Sequence, residues 1–256
     1  MAKTAIFRGA VCFAVSIAAV TPSLAGGLER GGYNIDLLFD PSDYVLDSSA
    51  TFVAPQRKVE NARDNPLKSG PLPASWSRTA DDSENFWSTR IGAKASIGDF
   101  GDCMFDYSQP WGAHLNPGIW QGSSYNIETK VKSHNYATTC RVKFDLGKGD
   151  FSIIGGGFYQ ELSGYKYRQV LGPAVLGLNP AWSSFSGVGK LEMEGDGWGW
   201  RAGMAYEIPE IAFRASLVYN SAVDHDLTGF ADVRGIPQTP PSISPTLAKI
   251  VSRGVV

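Results

Sequence analysis

Three histidines and the acidic residues beside them are the residues of this chain whose types and spacing most suggest chemistry. His225 lies between Asp224 and Asp226, whereas His114 and His134 have no acidic neighbours in the sequence. A serine hydrolase needs an activated serine with a histidine base. The chain has no GxSxG sequence, the turn that presents the nucleophile in α/β-hydrolases. We therefore interpret residues 224–226 as a polar rim, and a lipid hydrolase is the enzymatic alternative.

The cysteines are Cys12, Cys103 and Cys140. They form no CxxC pair and no cluster with histidine, so we expect no structural zinc, and we expect no other metal and no cofactor. Cys12 lies in the leader described next. In an oxidising compartment, Cys103 and Cys140 either form a disulfide between neighbouring strands or remain two independent small apolar side chains.

The N-terminus has the features of a secretory signal peptide. Lys3 and Arg8 precede an apolar run at residues 10–20, and small residues end at Ala25. The run is too short to span a bilayer, so we predict a signal peptide at residues 1–25 that is removed on export. The leader contains two of the 23 Lys and Arg residues and none of the 25 Asp and Glu residues. The mature chain is therefore mildly acidic, and we expect no nucleic-acid partner.

Alternation of apolar and polar residues is the main structural signal along the chain. One parity near the C-terminus consists of Trp198, Trp200, Ala202, Met204 and Tyr206, and the pattern resumes at residues 211–219. Period two predicts β-strands. The parity opposite the aromatic residues carries the basic side chains Arg90, Lys94, Arg141, Arg201 and Arg214. In an outer-membrane barrel, the aromatic residues would face lipid and these basic residues would face the lumen.

The connections between the predicted strands alternate strictly in length. Tight turns at residues 98–102, 147–150 and 207–210 alternate with long irregular stretches at residues 54–84, 110–128, 168–190 and beyond 227. This rhythm is typical of bacterial outer-membrane barrels, which have short periplasmic turns and long extracellular loops. The sequence therefore predicts an all-β fold, a transmembrane antiparallel β-barrel of about seven strands. Turn residues and alternation set the bounds of the predicted strands. These are residues 44–53, 85–98, 102–109, 129–146, 150–165, 198–206 and 211–227.

Three segments of the chain resemble the FadL/TodX family of outer-membrane long-chain fatty-acid and hydrocarbon transporters. They read FDYSQPWGAH, GGGFYQELSG and GWGWRAGMAYEIPEIAFRASLVYNSAVDHDL. The resemblance implies a barrel plugged by an N-terminal hatch, a hydrophobic ligand site near the extracellular loops, and a sideways exit beside a kink in the third strand. It implies a hatch at residues 26–43, a barrel from residue 44 to residue 256, and transport of hydrophobic small molecules across the outer membrane.

Candidate site residues follow from that resemblance and from the local pattern. The hatch candidates are the consecutive apolar residues Leu37, Leu38 and Phe39, and the kink candidates are Pro110 and Gly112. Proline removes a ladder donor and glycine removes a side chain, so pairing should break there, unless Pro110 only begins the loop. The third long loop carries the predicted ligand groove, made of Leu171, Val175, Leu176, Leu178, Trp182 and Phe185. Exposed apolar patches mark binding sites, although these side chains would also suit packing among the loops.

Two further interpretations concern the pore and the extent of the chain. The basic lumen residues would suit a general porin or a structural barrel as well as a plugged transporter. We expect outer-membrane lipids and the barrel assembly machinery as partners, beside hydrophobic small molecules. Single-chain bacterial barrels have an even number of strands, so seven predict the N-terminal half of a barrel, with two open edges and a loosely ordered C-terminal tail. Alone, such a chain is expected neither to insert stably nor to transport.

Overall fold

We describe the fold from a computed structural model covering residues 28–63, 74–123, 125–170 and 187–235. The predicted signal peptide and the predicted ligand groove at residues 171–185 lie outside these ranges. Across the described residues, no helix has the length and apolar character needed to cross a membrane.

The strands form one curled antiparallel sheet in which neighbours along the chain are neighbours in space. Its seven main strands are β1 (Tyr44–Val53), β4 (Phe86–Ile97), β5 (Gly101–Ser108), β7 (Glu128–Leu146), β8 (Gly149–Val170), β9 (Gly187–Ile208) and β10 (Phe213–Asn220). Two short strands extend the sheet, β6 (Gly112–Leu115) on β7 and β11 (Thr228–Asp232) on β9, while β2 (Lys58–Val59) and β3 (Ala80–Asp81) form a separate pair. The sequence-based fold class, an incomplete all-β antiparallel barrel of about seven strands, is confirmed.

The last predicted strand is shorter than expected. Residues Pro209–Ile211 form a single 3-10 turn that ends at Ala212 in a left-handed conformation, with φ of 51°. A non-glycine residue with positive φ interrupts the extended backbone, so β10 begins only at Phe213. It ends at Asn220. The tail also differs from the prediction, because β11 pairs with residues 190–194 of β9. Part of the tail is therefore ordered where β9 extends beyond the last residue that pairs with β10.

The two faces of the sheet are reversed relative to a soluble protein. Large apolar side chains are exposed on the outer face, including Trp198 at 75% and Leu217 at 73% exposure. Charged side chains are buried on the inner face, among them Lys94, Asp102 and Arg201. Buried charges are rare unless they are paired, so the inner face is held by specific partners. The predicted inward parity of the basic residues is confirmed.

Two rows of aromatic side chains run across the outer face, each through directly paired positions. The upper row consists of Tyr107, Tyr136, Tyr159 and Trp198, and the lower row of Phe144, Phe151 and Tyr206. On β7, β8 and β9 the rows lie eight positions apart, about 26 Å along a strand. A tilt of about 40° reduces this to a height of about 20 Å, close to the apolar band of a transmembrane barrel. Directly beyond the upper row, the outer face becomes polar with His134, Glu161 and Asp196.

A disulfide joins β5 to β7. Cys103 and Cys140 are register partners on adjacent strands and are bonded to one another. This settles the choice that the sequence left open.

We expect neither Cys103 nor Cys140 to react with a thiol-alkylating reagent under denaturing conditions without reductant. After reduction, both should be modified, and intact mass spectrometry would count the added groups. The single variant Cys103→Ser is the control, because it should expose the Cys140 thiol without any reductant. Alkylation of unreduced wild-type protein at either position would contradict the bond.

Candidate ligand cavity and hatch

The hatch (residues 26–43, described from Leu28) folds back onto the inner face of the sheet. A four-residue 3-10 helix at Asp36–Phe39 buries Leu38 completely and Phe39 almost completely. They pack on Met104, Ile154 and Ala205, which form the hydrophobic core of the described chain. Burying a Leu or Phe side chain contributes about 1.5–3 kcal/mol. The apolar triplet predicted as a plug thus forms the centre of the packing.

Glycine at the sheet surface makes room for this packing. Gly92 of β4 faces the lumen, and a Cβ there would lie 2.8 Å from Leu37 Cδ2. Leu37 therefore occupies space that a side chain at position 92 would fill. At the far end of the helix, the Ser42 amide donates to Asp40 Oδ1 at 2.8 Å, which lowers the pKa of the Asp40 carboxyl. These contacts fix where the hatch turns into β1.

All five basic residues predicted to face the lumen contact the hatch. Lys94 Nζ donates to the carbonyls of Asp40 and Ser42 at 2.6 and 2.8 Å. Arg90 donates to the Asn34 carbonyl at 3.1 Å, and Arg214 pairs with Asp36 at 2.8 Å. The other two basic residues contact aromatic rings of the hatch. The guanidinium carbon of Arg141 lies 4.7 Å from the centre of the Phe39 ring, and that of Arg201 lies 5.3 Å from the centre of the Tyr33 ring. These five basic side chains therefore all contact the hatch.

A shared carboxylate organises the basic residues at the lower end of the sheet. Asp102 is 1% exposed, and its oxygens lie 3.0 Å from Lys94 Nζ, 2.8 Å from Arg141 Nε and 3.3 Å from Lys143 Nζ. The Ser96 hydroxyl donates to Asp102 at 2.6 Å. A buried charge is tolerated when it is paired and hydrogen-bonded. Asp102 thus compensates three cations beneath the hatch, and Arg141 has a second carboxylate partner in Glu207.

The third main strand breaks at the predicted kink. Ser108 pairs with Asn135 and Gly112 pairs with Lys132, so three residues on one side oppose two on the other, which is a β-bulge. Pairing with β4 ends at Tyr107. Beyond Tyr107, the start of the hatch replaces β4 as the hydrogen-bonding neighbour of the kink. The Arg30 amide donates to the Pro110 carbonyl at 2.8 Å, and the Gly112 amide donates to the Leu28 carbonyl at 2.7 Å.

Gly112 has a direct role in this arrangement. A Cβ at position 112 would lie 2.7 Å from Arg30 Nε, and the Arg30 guanidinium stacks 3.9 Å from the centre of the Phe86 ring. Because pairing with β7 resumes at Gly112, Pro110 lies inside a strand interruption and does not only begin the loop. The start of the hatch pairs with this interrupted segment.

A cavity of about 680 Å³ lies between the hatch and the inner face of the sheet. Its apolar lining includes Leu28, Trp111, Val131, Leu162, Val218 and Val223. Its polar lining includes Glu29, Gln160, Asn220 and His225. Ligand sites are typically concave, largely apolar and equipped with a few polar groups. This cavity is the candidate ligand site among the described residues.

Tyr33 separates the cavity from a buried polar cluster. The Tyr33 hydroxyl accepts a hydrogen bond from Gln160 at 3.1 Å, and its ring lies 5.1 Å from the Phe158 ring. Behind it, Arg201 is 2% exposed and its Nη1 is 4.0 Å from Asp106 Oδ1. None of the three guanidinium nitrogens of Arg201 has a hydrogen-bond partner within the described chain. Arg201 is thus enclosed and is not part of the cavity wall.

The histidines lie in different surroundings. His134 Nδ1 is 2.8 Å from the Tyr107 hydroxyl, and His114 Nε2 is 3.3 Å from Glu128 Oε1. His225 lines the cavity. The segment around residues 224–226, interpreted as a rim, therefore contributes to the cavity wall. No sequence pattern pointed to this, because His225 reaches the cavity only through the way residues 221–225 cross the inner face.

Comparison with known proteins found one kind of similarity. No protein-family model and no curated protein matches the chain. The chain is similar to the crystal structure of a Pseudomonas aeruginosa FadL homologue, at 14% identity and a TM-score of 0.49. The match covers 73% of this chain and 45% of that one, so the chain spans less than half of the length of that neighbour.

Proposed function

We propose that this chain is part of an outer-membrane transporter for hydrophobic small molecules, with long-chain fatty acids or hydrocarbons as the cargo class. The observation that carries the proposal is the cavity of about 680 Å³ with an apolar lining, formed against a hatch that occupies the lumen. The two aromatic rows on the outer face support a membrane location, because aromatic girdles flank the apolar band of transmembrane barrels. Each buried methylene of a cargo chain contributes about 0.8 kcal/mol, which allows capture without specific polar contacts.

The proposed route runs from the extracellular loops into the cavity and leaves beside the strand kink. The cavity contains Leu28 and Trp111, and the same two positions flank the backbone contacts that close the gap at Pro110. A cargo molecule in the cavity is therefore next to the place where the sheet is closed only by the hatch. The loop residues 171–185 are the proposed first contact for cargo.

The transporting unit is proposed to contain further strands. Among the described residues, β1 and β10 each pair on one side only. With seven antiparallel strands, these two edge strands run in the same direction, so a second copy in the same membrane orientation would have to pair in parallel. Unpaired backbone groups in lipid cost several kcal/mol each. Closure by an odd number of additional antiparallel strands satisfies both edges, and functional tests therefore belong in the native host membrane.

A lumen substitution tests the transport function. In a deletion strain of the native host, the complete transporting unit with the wild-type chain should restore uptake of a labelled long-chain fatty acid or alkane, and the same unit with Leu162→Asn should take it up about tenfold less. The physical reason is a polar amide on the apolar cavity wall, which costs about 1–3 kcal/mol if unpaired. Leu191→Asn is the matched control, since Leu191 is 43% exposed and outside the cavity lining. Equal uptake by wild type and Leu162→Asn would contradict the proposal.

A general porin is the alternative function. Large steady ion channels from the native complex in planar bilayers would support it, whereas near silence is expected of a lumen held closed by the hatch.

A further inference from the structure

Charge on the cavity wall is the feature that bears on cargo selection. Among the described residues that line the cavity, Glu29 is the one carboxylate, and no lysine or arginine is present. Glu29 has no ion-pair partner within the described part of the chain. The cavity wall thus carries one exposed negative charge, and none of its described residues is a lysine or arginine that would compensate it.

The position of Glu29 is fixed by the backbone around it. Glu29 and Trp111 form an isolated antiparallel bridge. The hydrogen bonds of Arg30 to Pro110 and of Gly112 to Leu28 enclose this bridge on both sides. Glu29 therefore stays at the cavity as long as the hatch closes the strand kink.

The arginines near the cavity make contacts with other residues. The Arg30 guanidinium stacks on the Phe86 ring at 3.9 Å. Arg90 is bonded to the Asn34 carbonyl, and Arg201 lies behind the Tyr33 ring with 2% exposure. A ligand in the cavity therefore meets the charge of Glu29 before that of any of these three cations.

We propose that Glu29 is a specificity residue that makes the cavity reject carboxylates and favour uncharged amphiphiles, such as long-chain alcohols. The inference rests on the proposed transport function. It removes ionised fatty acids from the proposed cargo class and adds uncharged amphiphiles to the hydrocarbons. Glu29 is exposed, so solvent weakens its repulsion of a second carboxylate, but the repulsion still acts at contact distance. Juxtaposed like charges act against unwanted ligands. A neutral hydroxyl head group has no such repulsion and can hydrogen-bond to the polar side chains of the cavity, for example Gln160 and Asn220.

Matched ligands that differ only in the head group test this inference. Binding of labelled hexadecan-1-ol and hexadecanoate would be compared on the complex extracted from native outer membranes, at a pH where the fatty acid is ionised. We expect the alcohol to bind about tenfold more tightly than the carboxylate, a difference of about 1.4 kcal/mol. In Glu29→Gln, the carboxylate should gain most of that factor, while binding of the alcohol stays unchanged.

Asp43→Asn is the control, because Asp43 is an exposed acid of the same hatch outside the cavity lining, and it should keep the wild-type difference. If the carboxylate binds wild-type protein as tightly as the alcohol, the role of Glu29 is wrong and the transport function stands. A difference that persists unchanged in Glu29→Gln also overturns the role. If neither ligand binds, the cavity is not a cargo site, and both proposals fail together.

Discussion

Replacing Leu38 with aspartate is expected to release the hatch from the sheet and to make the lumen permeable to small hydrophilic dyes. Leu38 is 0% exposed and packs in the core with Met104, Ile154 and Ala205. Removing a buried leucine side chain costs about 2–5 kcal/mol, and a buried carboxylate without a partner adds to that cost. The substitution removes the apolar anchor of the hatch and leaves only its contacts with the basic residues and its backbone bonds at the strand kink.

The measurement is entry of a fluorescent hydrophilic dye into native cells that produce each variant, together with trypsin cleavage of the hatch. Leu38→Met is the control at the same position, because a volume-conserving apolar exchange costs less than about 1.5 kcal/mol. It should leave both readouts at wild-type values. Dye entry that is no higher in Leu38→Asp than in Leu38→Met would mean that the hatch is only a tether.

Replacing Asp102 with asparagine is expected to destabilise the lower end of the sheet by about 3–5 kcal/mol, the usual cost of removing one partner from a buried ion pair. The reason is that Lys94, Arg141 and Lys143 all lie within 3.3 Å of the Asp102 carboxylate. Without the negative charge, Lys94 and Lys143 lose this carboxylate partner, and Arg141 keeps only its ion pair with Glu207. Lys94 also holds the hatch through two carbonyls, so part of the effect should reach the hatch.

Urea-dependent trypsin sensitivity of the native membrane extract would measure this destabilisation, as a lower urea concentration at half digestion. Asp145→Asn is the matched control, since Asp145 is exposed at the end of β7 and should shift the midpoint little. Dye entry should rise in Asp102→Asn, though less than in Leu38→Asp. A midpoint equal to that of Asp145→Asn would show that the buried network does not stabilise the fold.

The local sequence pattern predicts much of the sheet. Successive side chains of a strand leave on opposite faces, so the parity of Arg201 against Trp200 follows from the sequence without knowledge of any partner strand. The local pattern does not determine where each strand ends. The predicted strand at residues 211–227 ends at Asn220 instead, because residues 223–226 pass over the glycines of β9 at positions 195–199.

The disulfide illustrates what local pattern leaves open. Alternation put Cys103 and Cys140 on the same outer face of two strands, but the bond requires that the two residues lie opposite one another. Register between β5 and β7 decides that. A register shift by one residue would have moved one of the cysteines to the other face.

The sequence by itself determined the existence and order of the seven main strands, though not their ends, since β9 begins at Gly187 and not at Trp198. It also determined the inward direction of the basic residues and the apolar hatch triplet, since these depend on neighbours a few positions apart. Only the tertiary structure decided what the basic residues hold and where the cavity lies. Glu29, Trp111, Gln160 and His225 meet at one cavity although they are distant in the sequence. Long-range strand pairing and the return of the hatch over the inner face bring them together, and no local period encodes that return.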